Sequence, residues 1–192
     1  NIITKALIRD LTYKEIKEEF LEQLKAFEKG LGKKPDYIDG HHHIHQLPII
    51  KKVIISESIA FYKKENFYIR NTYMNIHEIL KKDSFFKKIP VYLSGLFFYR
   101  LCIKKNIKTN KGFSGIYNYN SKNICYKNIF IKFIKKIKSN TIIMCHPGFV
   151  DENLRKIDSL TDQRKNEYEF LISKDFLNLI KEYNIKISKF IF

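Results

Sequence analysis

The sequence has no tryptophan, only three cysteines and no long hydrophobic run, and each shortage narrows the class of protein. Cys102, Cys125 and Cys145 form an odd, scattered set, which argues against a disulfide framework and favours a reducing compartment. The most apolar window, residues 89–103, is 15 residues long and contains Arg100, whereas a membrane span needs about 20 apolar residues. The first ten residues lack the apolar core and cleavage site of a secretion signal. We therefore expect a cytoplasmic protein with no membrane partner.

Arginine is the scarce basic residue. The chain carries 36 Lys plus Arg against 20 Asp plus Glu, a formal net charge of +16, yet only five of the 36 are arginines. The 31 lysines are accompanied by 31 isoleucines and three alanines, a bias that an AT-rich coding sequence produces whatever the function. Base readout and bidentate phosphate capture both favour arginine. We interpret the charge as codon bias that also aids solubility and predict no nucleic-acid partner; a polyanion- or membrane-surface role is the alternative.

The length and the hydrophobic pattern predict one α/β domain over residues 1–192. With 44% hydrophobic residues, a chain of this length can bury a sizeable core. Thr12-Tyr-Lys-Glu15 is typical of a capping box that begins a helix, and Gly30 is expected to end that helix. Further helices are predicted over residues 47–64, 84–106, 128–139, 161–171 and 173–183, the last capped by Ser173, and strands over 36–39, 67–70, 141–145 and 185–190. Because strands alternate with helices, we expect a parallel sheet, with residues 111–115 as a turn or loop.

Five of the six histidines occur in two places. His41, His42, His43 and His45 follow one predicted strand directly, and His146 follows another. Four histidines in five positions are improbable by chance, because histidine is uncommon. Imidazole is the most common protein ligand for transition metals. The cluster is internal and interrupted, which argues against an affinity tag. The alternative for one or two of the four is a packing role, with the ring bonded to backbone carbonyls.

The position of the histidines suggests a catalytic edge. If the strand continues from Tyr37, alternation would place four side chains on one side, namely Asp39, His41, His43 and His45. Sites in α/β sheets and barrels lie beyond the carboxyl ends of the strands, so both histidine groups are expected on that rim. A metal there could polarise a carbonyl or activate a water, and Asp39 could orient a ligand imidazole by a hydrogen bond. The residues alone therefore predict a metal-assisted hydrolase.

Two motifs in combination carry a family resemblance. Asp36-Tyr-Ile-Asp-Gly-His-His-His-Ile-His-Gln-Leu-Pro48 is followed about a hundred residues later by Met144-Cys-His-Pro-Gly-Phe-Val-Asp151. Together they resemble the motifs of the YdjC-like carbohydrate deacetylases, a family that includes the ChbG chitooligosaccharide deacetylases and HpnK-like proteins. Weaker supporting matches are residues 67–70, residues 113–115, and Arg164-x-x-Glu167 leading into residues 171–174. The resemblance covers nearly the whole chain but only about the last two-thirds of a family member.

The resemblance implies a fold, a reaction and a metal. The family fold is a distorted β/α barrel, which would be incomplete here because its N-terminal strands are missing. Family members remove acetyl groups from N-acetylated sugars such as chitooligosaccharides, using a divalent metal that is usually Mg. One metal ligand is the first histidine of the family's histidine run, which matches His41.

The family's other two metal ligands have no match in this sequence. They are an Asp in an N-terminal Asp-Asp-Phe-Gly motif, which also supplies the general base, and a His in a Gly-x-His motif. One imidazole rarely holds Mg²⁺, which prefers octahedral, oxygen-rich coordination, and without the base nothing obvious deprotonates the attacking water. We therefore expect the full-length protein to be a deacetylase and these 192 residues alone to be inactive. The expected partners are an acetylated carbohydrate and either a second copy, in a homodimer, or the missing N-terminal piece.

The resemblance also suggests roles for individual side chains. His146 is the expected catalytic residue, which would stabilise the oxyanion or protonate the leaving amine. Candidates to support the metal ligand or to contact the substrate are Asp39, His43, His45, Arg70 and Arg164. For His43 and His45 the alternative is a packing role, and for Arg70 and Arg164 it is a surface position or a structural ion pair.

Two other functions are left open. One is a different His-rich barrel hydrolase, such as a metal-dependent phosphoesterase, although such enzymes usually have further ligands along the chain and residues 46–145 offer only His77. The other is a non-catalytic remnant that binds sugar or a polyanion. Metal uptake through His41 would favour the deacetylase lineage, whereas salt-dependent retention on DNA would favour polyanion binding.

Overall fold

The computed structural model describes residues 2–63, 65–74, 79, 85–119, 125–135, 137–158 and 161–189, so His77 lies outside the described residues. Its elements are, in chain order, α1 (Ile2–Leu7), α2 (Tyr13–Leu31), β1 (Tyr37–Ile38), a 3-10 helix (His41–Gln46), α3 (Ile50–Tyr62), β2 (Tyr68–Ile69), α4 (Phe85–Lys104), β3 (Gly112–Ser114), α5 (Tyr126–Ile134), β4 (Thr141–Ile143), α6 (Glu152–Ile157), α7 (Asp162–Leu171) and α8 (Lys174–Glu182). The predicted α/β class is confirmed for this part of the chain.

The beginning of α2 follows the sequence prediction and its end does not. The Thr12 hydroxyl accepts the backbone N–H of Glu15 at 3.2 Å, and the Glu15 carboxylate accepts the backbone N–H of Thr12 at 3.3 Å, which completes the capping box. Gly30 was expected to end the helix, but α2 continues one residue further. The left-handed residue is Gly32, with φ 66°. Its N–H donates to the carbonyl of Glu28 at 2.8 Å, which satisfies the helix end.

Several other local predictions are corrected by the structure. The expected loop at residues 111–115 contains strand β3, because its backbone pairs with β4. β4 covers residues 141–143 of the predicted 141–145 and is half-buried along its length. Residues 185–189 form no strand, so the predicted closing strand is wrong over its described part. The short helices α1 and α6 were not predicted. Ser173 caps α8 as expected, since its hydroxyl accepts the Phe176 N–H at 3.3 Å.

The described strands form two parallel pairs. In the first pair Tyr37 lies opposite Tyr68 and Ile38 opposite Ile69, and the Lys108 carbonyl accepts the Ile69 N–H at 3.1 Å. In the second pair β3 lies beside β4. Parallel strands end at the same edge. The residues that follow β1 and β2 are therefore brought to one place.

The chain divides into two compact units, Asn1–Met74 with Pro90–Asn110, and Asn75–Ile89 with Lys111–Phe192. The prediction of one domain stays a prediction. The core of the first unit is largely aliphatic and comes from α2, α3, β2 and α4; its buried members include Leu24, Ile50, Ile54, Tyr62, Ile69, Phe98 and Cys102. In the described part of the chain, no helix is both long and apolar enough to cross a membrane.

The core of the second unit is aromatic. It packs α5 against α7 and α8, and its buried members are Tyr117, Tyr126, Phe130, Phe133, Ile134, Phe170 and Leu179. The ring centroids of Phe130 and Phe170 are 5.3 Å apart, and those of Phe170 and Phe176 are 5.7 Å apart. Such tilted and edge-on pairs are the favoured aromatic geometries. They fix α7 in the unit that carries His146.

Candidate functional site

The chain after β1 turns and does not continue as a strand. Residues His41–Gln46 form a 3-10 helix that is kinked at His42 and His43, whose φ angles are 51° and 61°. Positive φ is uncommon outside glycine and is incompatible with an extended strand. We call residues 39–46 the histidine turn. The predicted shared strand face is therefore wrong for Asp39, His41, His43 and His45.

Arg70 joins several members of the histidine turn through its side chain. It follows β2 directly, and its Nη2 donates to Oδ1 of Asp39 and, at 3.1 Å, to Nδ1 of His43. The same nitrogen lies 3.4 Å from the carbonyl oxygen of Gly40. Arg70 is 7% exposed, so a nearly buried cation is paired with a carboxylate, as burial of a charge requires. Whether Arg70 also contacts substrate stays a prediction.

Burial is the main reason that His43 is hard to protonate. It lowers the pKa of His43 to about 3, and the positive charge of Arg70 acts in the same direction. The ring is therefore neutral at physiological pH. Since Arg70 can only donate, Nδ1 of His43 is an acceptor and the ring proton of the neutral form resides on Nε2.

His45 is a buried histidine with backbone partners on both ring nitrogens. Its Nδ1 accepts the Gly40 N–H at 3.0 Å, and its Nε2 lies 2.7 Å from the Arg70 carbonyl oxygen. These contacts require the proton on Nε2. His45 is 0% exposed, and burial lowers its pKa to about 4. His45 therefore matches the packing alternative, because both of its ring nitrogens bond to backbone groups. A role for His45 in substrate binding stays a prediction.

His41, the expected metal ligand, is exposed and lies at the start of the histidine turn. Its ring meets that of His42 edge-on, with centroids 4.2 Å apart. Within the residues that the structure describes, no three His, Cys, Asp or Glu side chains are grouped so that they could hold a metal. The Asp39 carboxylate, the nearest acidic candidate in sequence, is bound by Arg70. The donor set of these residues therefore does not fit a bound Mg²⁺, and we derive no step through one.

His146 lies in the loop that follows β4, as predicted, and is fixed there by α7. Its backbone N–H donates to Oε2 of Glu167, and its half-buried ring meets the ring of Tyr119 edge-on at 5.6 Å. Glu167 is 0% exposed, and its Oε1 accepts the hydroxyl proton of Tyr117 at 2.7 Å. Burial raises the pKa of the Glu167 carboxyl, although its hydrogen bonds oppose the rise. The backbone at the expected catalytic histidine is therefore held by a buried side chain of α7.

Arg164 supports the same loop through its backbone. Its carbonyl oxygen accepts the Gly148 N–H at 3.2 Å, two residues after His146. Its guanidinium donates to Asp158 at 2.6 Å. This ion pair matches the structural alternative for Arg164; a substrate contact stays a prediction. α7 thus holds the loop at two points, Arg164 and Glu167.

The structure shows which candidates come together. In the first unit it assembles Asp39, His43, His45 and Arg70, and in the second it brings His146 to Glu167 and to the backbone of Arg164. Glu167 and Tyr117 were not among the predicted site residues. The available signal for Glu167 was its place in the Arg164-x-x-Glu167 motif. Tyr117 offered none, because its partner lies 50 residues away.

These features define an α/β protein with histidine-bearing loops at the carboxyl ends of parallel strands. A sequence model of the family described as YdjC-like protein matches residues 3–182. The chain therefore belongs to the YdjC-like family, and the predicted resemblance is confirmed.

Named relatives agree with this assignment. The chain is 24% identical over 185 residues to a carbohydrate deacetylase of Clostridium beijerinckii and 26% identical over 182 residues to one of Thermoanaerobacter pseudethanolicus, covering 96% and 94% of this chain. It is 21% identical over 182 residues to a chitooligosaccharide deacetylase of Escherichia fergusonii, covering 94% of this chain. The aligned part is 61–63% of each relative's length. All three relatives are named as enzymes, in agreement with the expectation of an enzyme by resemblance.

A solved structure supports the fold. The crystal structure of a proposed cellobiose-phosphate cleavage protein from Enterococcus faecalis superposes with a TM-score of 0.62 at 20% identity. The match covers 93% of this chain and 60% of that chain. At this identity the likeness concerns the fold alone.

Proposed function

We propose that this chain is part of a carbohydrate deacetylase that hydrolyses N-acetyl groups of amino sugars such as chitooligosaccharides. The observation that carries the proposal is the family match over residues 3–182, which includes both histidine motifs. The three deacetylase relatives give it a reaction and a substrate class. The β/α barrel expected for the family belongs to the same proposal.

Amide hydrolysis requires stabilisation of a tetrahedral oxyanion and a proton for the leaving amine. We assign one of these two tasks to His146, because an imidazole can donate in either step. The Glu167 carboxylate holds the backbone N–H of His146, and the Arg164 carbonyl holds that of Gly148. A loop fixed at two points keeps the ring in place without help from the substrate.

Dependence on a divalent metal, Mg in the first instance, is part of this proposal. His41 would supply one imidazole ligand. The family's Asp-Asp-Phe-Gly aspartate and Gly-x-His histidine have no match in these 192 residues. The expectation that the residues are inactive alone follows from that gap.

The experiment is an acetate-release assay on N,N′-diacetylchitobiose, with Mg²⁺, with Zn²⁺ and with EDTA. The 192-residue chain is compared with a version lengthened at its N-terminus by the corresponding segment of a relative. We expect acetate only from the lengthened protein, and loss of most of kcat with little change in metal affinity on His146→Ala. His42→Asn is the matched control, because His42 is exposed and Asn tolerates positive φ.

Three results would contradict a part of the proposal or the whole of it. Enzymatic acetate release by the 192 residues alone would overturn the expected inactivity. Hydrolysis of p-nitrophenyl phosphate, without acetate release, would indicate the phosphoesterase alternative. Salt-dependent retention on DNA without metal uptake would indicate a polyanion-binding remnant.

A further inference from the structure

The histidine turn contains four imidazoles, and its hydrogen bonds do not leave them chemically equivalent. His43 and His45 both accept a hydrogen bond at Nδ1, from the Arg70 guanidinium at 3.1 Å and from the Gly40 backbone at 3.0 Å. A neutral imidazole has one N–H and one lone pair. When the lone pair on Nδ1 accepts a hydrogen bond, none is left for a metal ion.

The charge of Arg70 acts in the same direction as its hydrogen bond. Its guanidinium lies against His43 and is nearly buried, with Asp39 as its counter-ion. A second cation at Nδ1 of His43 would meet that charge at short range in a poorly solvated place. The Asp39 carboxylate is likewise committed to Arg70.

We propose that Arg70 is a positioning residue that holds His43 as the Nε2–H tautomer. His43 then serves as a hydrogen-bond donor and is excluded as a ligand. His45 is excluded by the Gly40 backbone and not by a side chain. The consequence for catalysis rests on the proposed deacetylase function; the tautomer assignment does not.

The test is long-range ¹H–¹⁵N NMR of the imidazole rings at pH 7.5, in the 192-residue chain without metal. The wild type should show the Nε2–H tautomer at both His43 and His45. Arg70→Met removes the donor and should turn His43 into a tautomer mixture. His45 should keep its state, because its partners are backbone atoms. His45 is thus an internal control for folding.

Two further variants sharpen the comparison. Arg70→Lys still presents a charged donor and should retain most of the His43 state. Arg100→Met makes the Met substitution at an exposed position on α4 and should change neither ring. Titration with Zn²⁺ should then perturb His43 in Arg70→Met at a concentration at least several-fold lower than in the wild type.

The outcomes of these NMR experiments and of the acetate-release assay distinguish this inference from the proposed deacetylase function. An Nδ1–H tautomer at His43 in the wild type would overturn it, as would a His43 signal unaffected by Arg70→Met. A change at both His43 and His45 would also overturn it, since Arg70 would then hold the fold of the turn and not the state of one ring. The expected tautomers without acetate release by the lengthened protein would refute the deacetylase proposal and leave this inference standing.

Discussion

The carboxylate of Glu167 accepts the backbone N–H of His146 from a position with no exposure to solvent. Its other oxygen accepts the Tyr117 hydroxyl proton at 2.7 Å. The site loop is therefore attached to α7 by a buried acceptor with two donors.

Removing that acceptor should destabilise the second unit. Glu167→Ala leaves a partly buried N–H and a buried hydroxyl without their partner, so we expect a loss of about 3 kcal/mol in the free energy of unfolding. Glu167→Gln keeps one acceptor oxygen and should cost less. Urea unfolding measures both. Glu169→Ala, on the same helix but exposed beside Lys165, should stay within about 0.5 kcal/mol of the wild type; equal losses at Glu167 and Glu169 would contradict the assignment.

The stability of the first unit should fall in mild acid because of His45, and His43, whose pKa is also lowered, acts in the same direction at lower pH. Its folded pKa of about 4 lies below the ordinary value of 6.5, so the unfolded chain binds the proton first. The contribution of His45 is fully present above pH 6.5 and is lost as the pH falls through about 4. Over this range, protonation of His45 lowers the free energy of unfolding by about 3 kcal/mol.

Unfolding free energies measured from pH 7 to pH 4 test this pH dependence. The decline should be clearly smaller in His45→Gln than in the wild type, even though His45→Gln starts from a lower stability. His42→Asn, which changes an exposed histidine, should decline like the wild type. A parallel decline in all three proteins would show that other groups dominate.

Gly115 should tolerate no side chain. It has φ +110°, and a Cβ atom there would overlap the backbone carbonyl oxygen of Met144. Gly115→Ala should therefore cost about 2 kcal/mol or more. Gly30→Ala is the matched change, because no atom lies within 4 Å of its Cβ position in α2; it should stabilise by up to about 1 kcal/mol. Thermal melting distinguishes the two, and a harmless Gly115→Ala would contradict the β3–β4 geometry.

The three thiols should differ in reactivity. Cys125 and Cys145 are exposed, but burial around the Cys145 thiol and the charge of Glu167 raise its pKa, and Cys102 is buried in the first core, where burial raises its pKa to about 12. Since the thiolate is the reacting form, Ellman's reagent at pH 8 should label Cys125 first and Cys145 more slowly in the native protein, and all three thiols after denaturation. Cys102→Ala should leave the fast phase unchanged. Rapid labelling of Cys102 would show that the α4 packing is wrong.

The sequence predicted which strands and loops carry the site residues better than it predicted the conformation of those loops. The N-terminal cap at Thr12, the strands β1, β2 and β4 and the two histidine groups follow from local patterns and are observed, whereas the helix end at Gly30 and the closing strand, over its described residues 185–189, are not. The conformation of the histidine turn does not follow, because His42 and His43 adopt a backbone region that histidine seldom occupies. That conformation is accompanied by contacts with Arg70, 27 residues beyond His43.

Residues 112–114 were predicted to lie in a turn or loop and instead form strand β3, for a similar reason. Gly112 and Ser114 suggest a turn when only neighbours are considered, but pairing with β4 makes them a strand. Glu167 was overlooked because its importance depends on Tyr117 and His146, which are distant in sequence. Long-range hydrogen bonds of this kind leave no periodic signal.

The first unit is built from two separate stretches of chain, and this affects how it can fold during translation. The buried backbone N–H of Asn71 donates to the Asn110 side chain at 2.8 Å, across 39 residues. A chain emerging from the ribosome can form α2 and α3 early, yet it must close this long loop before the amide of Asn71 has its acceptor. Translation pauses before residue 110 should therefore leave the edge that carries Asp39 and Arg70 accessible to proteases and chaperones.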